Sequence, residues 1–206
     1  MSLFLSILVV FLLAVPASAA PMLKKGSRSG DVWDLQYRLQ VMGLYQGPLD
    51  GIYGRKTTQA VRQFQKKYGM PADGITGRFT WKKLKKVTVN RSEMQMLAQL
   101  VYSEARGEPY VGQVAVAAVV MNRLQSKNFP NTIKDIIFQP YAFTAIDDGQ
   151  YWLTPGKTAY QAAYEAVRGW DPSGNALYYF NPETATSKWI WSRPQIKKIG
   201  SHIFAR

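Results

Sequence analysis

An uninterrupted apolar run of eight residues, 114–121, lies near the middle of the chain and consists almost entirely of Val and Ala. Because a helix with apolar side chains all round offers no polar face to water, this run predicts a helix that is buried on every side. Pro109 suits the first turn of that helix, which we expect to continue to about Leu124. Small side chains let neighbouring elements approach closely, so the second half of the chain is expected to pack tightly around this helix.

The preceding segment predicts a second helix that carries an acid on its apolar face. Leu97, Leu100 and Val101 fall at positions i, i+3 and i+4 of one helical face, and position i+7 of that face is Glu104. Gly107 and the residue before Pro109 end the helix just after this acid. A carboxylate aimed into an apolar face is costly when ionised, so we expect the pKa of Glu104 to be raised.

The amino-acid composition limits which catalytic groups the chain can provide. The chain has no cysteine and one histidine, His202, which excludes a thiol nucleophile, a disulfide framework and a zinc site that needs several His or Cys ligands. Acids are scarce as well, with 13 Asp and Glu against 26 Lys and Arg. We therefore expect a carboxylate as the acid–base group, with no cofactor and no metal, and a structural role for His202.

The first 19 residues have the pattern of a signal peptide. Residues 3–15 are apolar except for Ser6, and Ala17-Ser18-Ala19 provides a small-residue cleavage site. No Lys or Arg precedes the run, so an uncleaved N-terminal anchor stays open as the alternative. Either interpretation places the protein outside the cytoplasmic membrane, and cleavage would leave no stable membrane insertion.

Charge divides the rest of the chain into two parts. Residues 21–91 hold 15 Lys and Arg against 4 Asp, a net charge of +11, whereas residues 92–206 hold 11 Lys and Arg against 9 Asp and Glu, a net charge of +2. We predict a first domain at residues 25–86, a short linker at 87–91 and a second domain at 92–206, whose first helix is capped by Ser92.

The first domain contains an internal repeat. The sequence Asp-Gly-Ile-x-Gly-Arg-x-Thr begins at Asp50 and again at Asp73, 23 residues later. Each copy predicts a tight turn followed by a helix, and periodicity gives helices over residues 31–42, 56–68 and 77–86. The residues expected to face inward are Val32, Leu35, Leu39 and Met42, then Ala60, Val61 and Phe64, then Phe79, Trp81 and Leu84.

This pattern resembles the peptidoglycan-binding domain of bacterial wall hydrolases. The motifs Gly30-Asp31-Val32, Gly43-Leu44-Tyr45 and the two Asp-Gly-x-x-Gly turns occur in the family's order. The resemblance implies a non-catalytic module that holds wall glycan strands or their stem peptides. The positive charge of this domain also makes teichoic acid, a polyanion found outside the bacterial membrane, a candidate partner. A +11 domain also suits nucleic acid, but the signal sequence argues against that partner.

Residues 92–206 are similar to the catalytic domain of the spore cortex-lytic enzymes, the SleB and CwlJ type of cell wall hydrolase. The similarity rests on Glu104-Ala105-Arg106-Gly107-Glu108-Pro109, on Tyr179-Phe180-Asn181-Pro182, on Trp191-Ser192-Arg193 and on the segment 199–204. It implies an α+β, lysozyme/transglycosylase-like domain, mainly helical with a small β-hairpin formed by residues 177–180 and 199–204. It also implies a lytic transglycosylase that acts on peptidoglycan, especially spore cortex containing muramic-δ-lactam, with Glu104 as the catalytic acid.

A single carboxylate suffices for that reaction, since the nucleophile is the C6 hydroxyl of the substrate. A lysozyme-like hydrolase would need a second carboxylate, for which Glu108, Asp147 and Asp148 are the candidates. An amidase and an inactive wall-binding protein also stay open as functions of this chain. The residues expected to contact the sugars, each with a packing role as its alternative, are Thr144, Tyr102, Trp152, Tyr179, Trp189 and Trp191.

Overall fold

The computed structural model describes residues 21–206; the predicted signal peptide lies outside this range. The first domain contains three helices, α1 (Gly30–Val41), α2 (Arg55–Lys67) and α3 (Arg78–Val87), whose ends each differ from the prediction by one residue. Their buried faces form one apolar core around Leu35, Phe64 and Leu84.

Both copies of the repeat are turns held by a buried glutamine. The Gln36 side-chain amide donates to Asp50 Oδ1 at 2.8 Å and its carbonyl accepts from Gly51 N at 3.0 Å. Gln65 makes the same pair of bonds in the second copy, with Asp73 at 2.7 Å and Gly74 N at 2.9 Å. The glycines adopt φ values of 69° and 74°, which residues with a side chain rarely adopt. The repeated motif therefore builds the turns.

One inward residue was predicted wrongly. Phe79 is 79% exposed, whereas Trp81 and Leu84 are buried as expected. Trp81 and Leu84 are three residues apart and share a helical face, while Phe79 lies two residues before Trp81 and so points roughly 200° away from it. Only one face of α3 meets the core, so Phe79 is left on the surface.

The second domain is built on helices α4 (Arg91–Ala105), α5 (Tyr110–Gln125) and α8 (Lys157–Arg168), which pack against one another. The run 114–121 is buried throughout, which confirms the predicted core helix. The predicted cap at Ser92 is wrong: Asn90 caps α4, because its side chain accepts from Glu93 N while the Glu93 carboxylate accepts from Asn90 N.

Short elements complete this domain. Helix α6 spans Ile133–Ile137, α7 spans Thr144–Asp147, a 3₁₀ turn spans Gln150–Trp152 and α9 spans Lys188–Trp191. Strands β1 (Tyr178–Phe180), β2 (Gln195–Ile199) and β3 (His202–Ala205) form an antiparallel sheet in the order β1-β3-β2. The predicted pairing of residues 177–180 with 199–204 is present as β1 and β3. The tight hairpin, however, joins β3 to β2, a strand that the sequence pattern did not predict.

The two domains share a packed interface. Arg38 of α1 is 3% exposed, and its guanidinium contacts Glu93 of α4 at 3.2 Å and the Thr88 carbonyl at 3.2 Å. Tyr37 and Val41 of α1 join the apolar core of the second domain. Because α3 ends at Val87 and α4 begins at Arg91, very little chain separates the two domains.

Within residues 21–206, no helix is both long enough and apolar enough to cross a membrane.

Candidate functional site

Glu104 lies in the last turn of α4, and both of its carboxylate oxygens are held. Oε1 accepts a hydrogen bond from the backbone amide of Ala145, at the start of α7, over 2.7 Å. Oε2 accepts one from the phenol of Tyr179, in the middle of β1, over 2.9 Å. The acid is therefore fixed by two segments that lie far from it in the sequence.

Burial governs the proton affinity of this acid. Removal from water raises the pKa of Glu104, and the negative charge of Asp148 acts in the same direction. The hydrogen bonds from Ala145 and Tyr179 and the positive charge of Arg123 lower the pKa, but they do not offset the burial. Glu104 thus has the raised pKa expected from its place on an apolar helical face.

Glu104 opens into a cleft of about 860 Å³. Its lining includes the loop that leads into α7, around Tyr141 and Phe143, and β1 with the segment that leads into α9. The cleft is lined by Glu104, Arg123, Asn128, Phe129, Gln139, Pro140, Tyr141, Ala142, Phe143, Thr144, Tyr178, Tyr179, Phe180, Asn181, Thr184, Ala185, Thr186, Ser187, Trp189, Ile190 and His202. Both aromatic rings and polar side chains line it.

The structure brings three of the six predicted sugar-contacting residues to this cleft. Thr144 is exposed and lines it, and Trp189 lines it with its ring packed edge-on against Tyr178 at 5.1 Å between centroids. Tyr179 lines the cleft as well, where its phenol is bound to Glu104. A sugar contact by these residues stays a prediction.

The other three predicted residues lie elsewhere. Tyr102 packs against the core of the second domain, with the Arg106 guanidinium 5.7 Å from its ring centre. Trp152 is 68% exposed and stacks on Phe138, outside the cleft. Trp191 packs edge-on against Phe180, so it supports a residue of the cleft wall and does not line the cleft itself.

Arg123 was not predicted as a site residue, although a usable signal was present. It lies on α5 at position i+7 from Val116, with Val119 and Val120 at i+3 and i+4, the same pattern that identified Glu104. Arg123 is 5% exposed and lines the cleft.

His202 has a different environment from the one predicted. It is buried, lines the cleft and packs against Tyr179 at 5.0 Å between ring centres. Burial lowers its pKa, although the nearby charge of Glu108 opposes this, so the ring is neutral near pH 7. The prediction of a hydrogen-bonded histidine is wrong for Nδ1, which has no hydrogen-bond partner among the described residues.

Two of the remaining candidate acids, Glu108 and Asp148, do not line the cleft. Glu108 accepts hydrogen bonds from the amide and hydroxyl of Ser201, and Asp148 accepts from the backbone and side chain of Gln150. Asp147 is the last residue of α7. Among the side chains that the structure describes, a set that excludes Asp147, Glu104 is the only acid that lines the cleft.

No group of three or more His, Cys, Asp or Glu side chains capable of holding a metal ion is found between residues 21 and 206.

Two family models match the chain in separate segments. The Cell Wall Hydrolase model covers residues 107–205, which include most of the cleft, and the peptidoglycan binding domain model covers residues 28–84. The peptidoglycan binding match supports the resemblance found for the first domain, and the Cell Wall Hydrolase match supports the one found for the second domain.

Relatives match both domains together. A spore cortex-lytic enzyme of Bacillus cereus is 45% identical over 93% of this chain and 89% of its own length. The spore cortex-lytic enzyme of Bacillus subtilis is 36% identical over 92% of this chain and 91% of its own.

Among solved structures, the catalytic domain of the germination-specific lytic transglycosylase SleB from Bacillus anthracis is 64% identical. It covers 57% of this chain and 97% of that domain, with a TM-score of 0.55. The catalytic domain of SleB from Bacillus cereus is 63% identical over 57% of this chain and 91% of that domain, with a TM-score of 0.54.

Proposed function

Because the chain belongs to the spore cortex-lytic enzyme family, we propose that it cleaves the MurNAc-GlcNAc bond of peptidoglycan as a lytic transglycosylase with Glu104 as its acid–base residue. The observation that carries this proposal is the environment of Glu104: a carboxyl with a raised pKa, held by two hydrogen bonds, at the wall of a cleft that neither Glu108 nor Asp148 lines.

In the first step, the protonated carboxyl of Glu104 gives its proton to the glycosidic oxygen. The bond between C1 of N-acetylmuramic acid and that oxygen then breaks, and positive charge develops at C1. The raised pKa keeps the proton on Glu104 before this step. Ala145 and Tyr179 stabilise the carboxylate that forms, because both donate to its oxygens.

In the second step, the Glu104 carboxylate takes the proton from the C6 hydroxyl of the same sugar. The C6 oxygen attacks C1 and closes a 1,6-anhydro ring, which returns Glu104 to its protonated form. A hydrolase would use water as the nucleophile and a second carboxylate to activate it. The hydrogen bonds of Glu108 and Asp148 engage those side chains elsewhere, which supports the reaction with one carboxylate.

The exposed side of the first domain offers a binding surface for the wall polymer. A groove of about 900 Å³ is lined by residues of α2, α3 and the loop between them, including Tyr68 and exposed Phe79, and Lys83 stands 4.6 Å from the Tyr68 ring centre. Aromatic rings stack on sugars, and the lysines attract the carboxylates of stem peptides or the phosphates of teichoic acid. Phe79→Ser is expected to reduce the fraction of protein that sediments with purified wall.

We also infer export before the enzyme acts, on the basis of the apolar run at residues 3–15 and the Ala17-Ser18-Ala19 site. N-terminal sequencing of the protein from its native wall fraction tests this inference. A new N-terminus near Ala20 would support it, and an intact Met1 would contradict cleavage.

The role of Glu104 is tested by comparing Glu104→Gln with Glu165→Gln on purified cortex peptidoglycan. Glu165 lies on α8 in an exposed pair with Arg168, so its variant controls for the loss of one carboxylate. We expect Glu104→Gln to lower the cleavage rate by about 10²–10⁴-fold, the usual contribution of a general acid, and Glu165→Gln to leave it unchanged. A fully active Glu104→Gln variant would refute the assignment.

A further inference from the structure

Arg123 is a buried cation that forms no salt bridge with the side chains that the structure describes. Its side chain is 5% exposed, and none of the ion pairs between described residues includes it. Burying a charge without a salt bridge is costly. The cost of burying Arg123 beside Glu104 must therefore be offset by neighbouring groups or by a bound ligand.

The surroundings hold the guanidinium in place but accept few of its hydrogen bonds. Arg123 Nε donates to the Leu177 carbonyl at 2.7 Å, and the guanidinium carbon lies 4.9 to 5.6 Å from the ring centres of Phe129, Phe143 and Tyr178. These rings stabilise the charge from the sides through cation–π contacts. They leave the planar group in one fixed orientation.

The terminal nitrogens of Arg123 remain available. They make no hydrogen bond with the described residues. They are also not fully buried, because the fully buried side-chain atoms without a partner in the described part of the chain belong to other residues only. Since Arg123 lines the cleft, these nitrogens face it. The oxygens of Glu104 are bound by Ala145 and Tyr179, so the guanidinium is not occupied by the acid beside it.

A fixed guanidinium with open N–H groups binds acyl oxygens, because its planar fork matches a carboxylate or polarises a carbonyl. In peptidoglycan every second sugar carries a lactyl group on C3, which ends in a carboxylate, an amide to the stem peptide, or a lactam. The neighbouring N-acetylglucosamine carries no such group. A donor at this position therefore distinguishes the two alternating sugars.

Resting on the proposed function, we propose that Arg123 is a substrate-binding residue that donates to the lactyl acyl oxygen of the muramic acid residue placed at Glu104. This contact selects the sugar whose C1 faces the acid, and so determines which of the two alternating glycosidic bonds is cleaved. Arg123 and Glu104 then have separate roles, one in recognition and one in proton transfer.

The test is a calorimetric binding titration of the full protein with two disaccharides, GlcNAc-MurNAc and chitobiose. They differ in the lactyl group, and neither contains the MurNAc-GlcNAc bond, so no turnover interferes. We expect the wild type to prefer GlcNAc-MurNAc by about tenfold or more, the usual contribution of a hydrogen bond to a charged group, and Arg123→Gln to remove that preference. Chitobiose binding should stay within about twofold, since it makes no such hydrogen bond. Equal affinities in the wild type, or an equal loss for both sugars, would overturn the proposal.

Two further arms identify the oxygen and control for folding. Repeating the titration with the stem-peptide amide and the lactam form distinguishes the sources: a loss confined to the free acid identifies a carboxylate, and an equal loss for all three identifies a carbonyl oxygen. If Arg123→Gln does not fold, Arg123→Lys keeps the charge but removes the fork, and a smaller, lactyl-specific loss is expected. An unspecific loss in that variant contradicts the proposal. Because these titrations involve no cleavage, their outcome is independent of the activity of Glu104→Gln.

Discussion

Glu104 and Glu108 are four residues apart, and the hydrogen bonds that they accept are alike in kind. Each carboxylate accepts one backbone amide and one hydroxyl: Glu104 from Ala145 and Tyr179, Glu108 from both groups of Ser201. Their pKa values nevertheless shift in opposite directions. Burial raises both pKa values, and for Glu104 it prevails. For Glu108 the hydrogen bonds from Ser201 outweigh it, helped by the charge that His202 carries at acidic pH, and the pKa is lowered.

The comparison shows that depth of burial, and not the set of bonds, separates a proton donor from a structural anion. Glu108 fastens the turn between β2 and β3 to the start of α5. That turn contains Gly200 at φ 58°, where a Cβ atom would collide with the Glu108 carboxylate. The close approach leaves no room for a substrate at Glu108, while Glu104 faces the open cleft.

The largest expected effect is on activity. If burial decides the roles, Glu108→Gln retains cleavage within about tenfold of the wild type, whereas Glu104→Gln loses about 10²–10⁴-fold. Both rates are measured by release of soluble muropeptides at one pH. A folded Glu108→Gln variant as inactive as Glu104→Gln would make Glu108 part of the chemistry and would break the comparison.

The second effect concerns the hydrogen bond from Tyr179. Its phenol stays protonated because burial raises its pKa well above the usual value, so it donates to Glu104 throughout the working range. Tyr179→Phe removes a bond that lowers the pKa of Glu104, so the alkaline limb of the kcat/KM profile should move to higher pH, with about tenfold lower activity. Tyr178→Phe is the matched control, since Tyr178 lines the same cleft and makes no hydrogen bond to Glu104. An unmoved limb in Tyr179→Phe would show that this bond does not set the proton affinity.

The third effect is on stability at Glu108. A carboxyl whose pKa is lowered by folding stabilises the protein above its unfolded-state pKa, and this stabilisation is lost as pH falls through the folded-state pKa. Glu108→Gln should therefore lower the free energy of unfolding by roughly 1 kcal/mol at neutral pH and by little at strongly acidic pH. Urea unfolding at several pH values measures the difference. A constant loss across pH would mean that the charge contributes nothing.

The smallest effect has the opposite sign and occurs at Glu104. A carboxyl whose pKa is raised by folding opposes folding once the pH exceeds its unfolded-state value, because the buried group must be charged or must keep a proton that the unfolded chain releases. Glu104→Gln should therefore be more stable at neutral pH by a few tenths of a kcal/mol up to about 1 kcal/mol, and the gain should fade below pH ~4. A destabilised variant at neutral pH would show that the acid is not strained by burial.

Local patterns predicted the elements of this protein better than its site. The buried α5, the two repeat turns and the apolar face that ends in Glu104 all follow from periodicity and turn chemistry. Arg123 shows the same pattern on α5 that Glu104 shows on α4, so it could have been predicted in the same way. The choice between Asn90 and Ser92 as the cap was also decidable, since Glu93 stands three residues after Asn90.

Other features depend on contacts that no local pattern contains. The partners of Glu104 lie 41 and 75 residues further along the chain, so the sequence around the acid does not reveal them. Strand β2 is short and rich in Lys, and its mostly exposed residues give a weak strand pattern. Whether an aromatic ring such as Trp152 reaches the cleft depends on how the short helices pack, which periodicity does not determine.

The central claim, that one carboxylate performs the cleavage, is tested most directly by the mass of the new glycan ends. Purified spore cortex is digested in ¹⁸O-labelled water, and the muropeptides are analysed by mass spectrometry. We predict anhydro-muramic ends, which are lighter than hydrolysed ends by one water and contain no ¹⁸O. Reducing ends that carry ¹⁸O would contradict the account, because water would then be the nucleophile and a second activating group would be required.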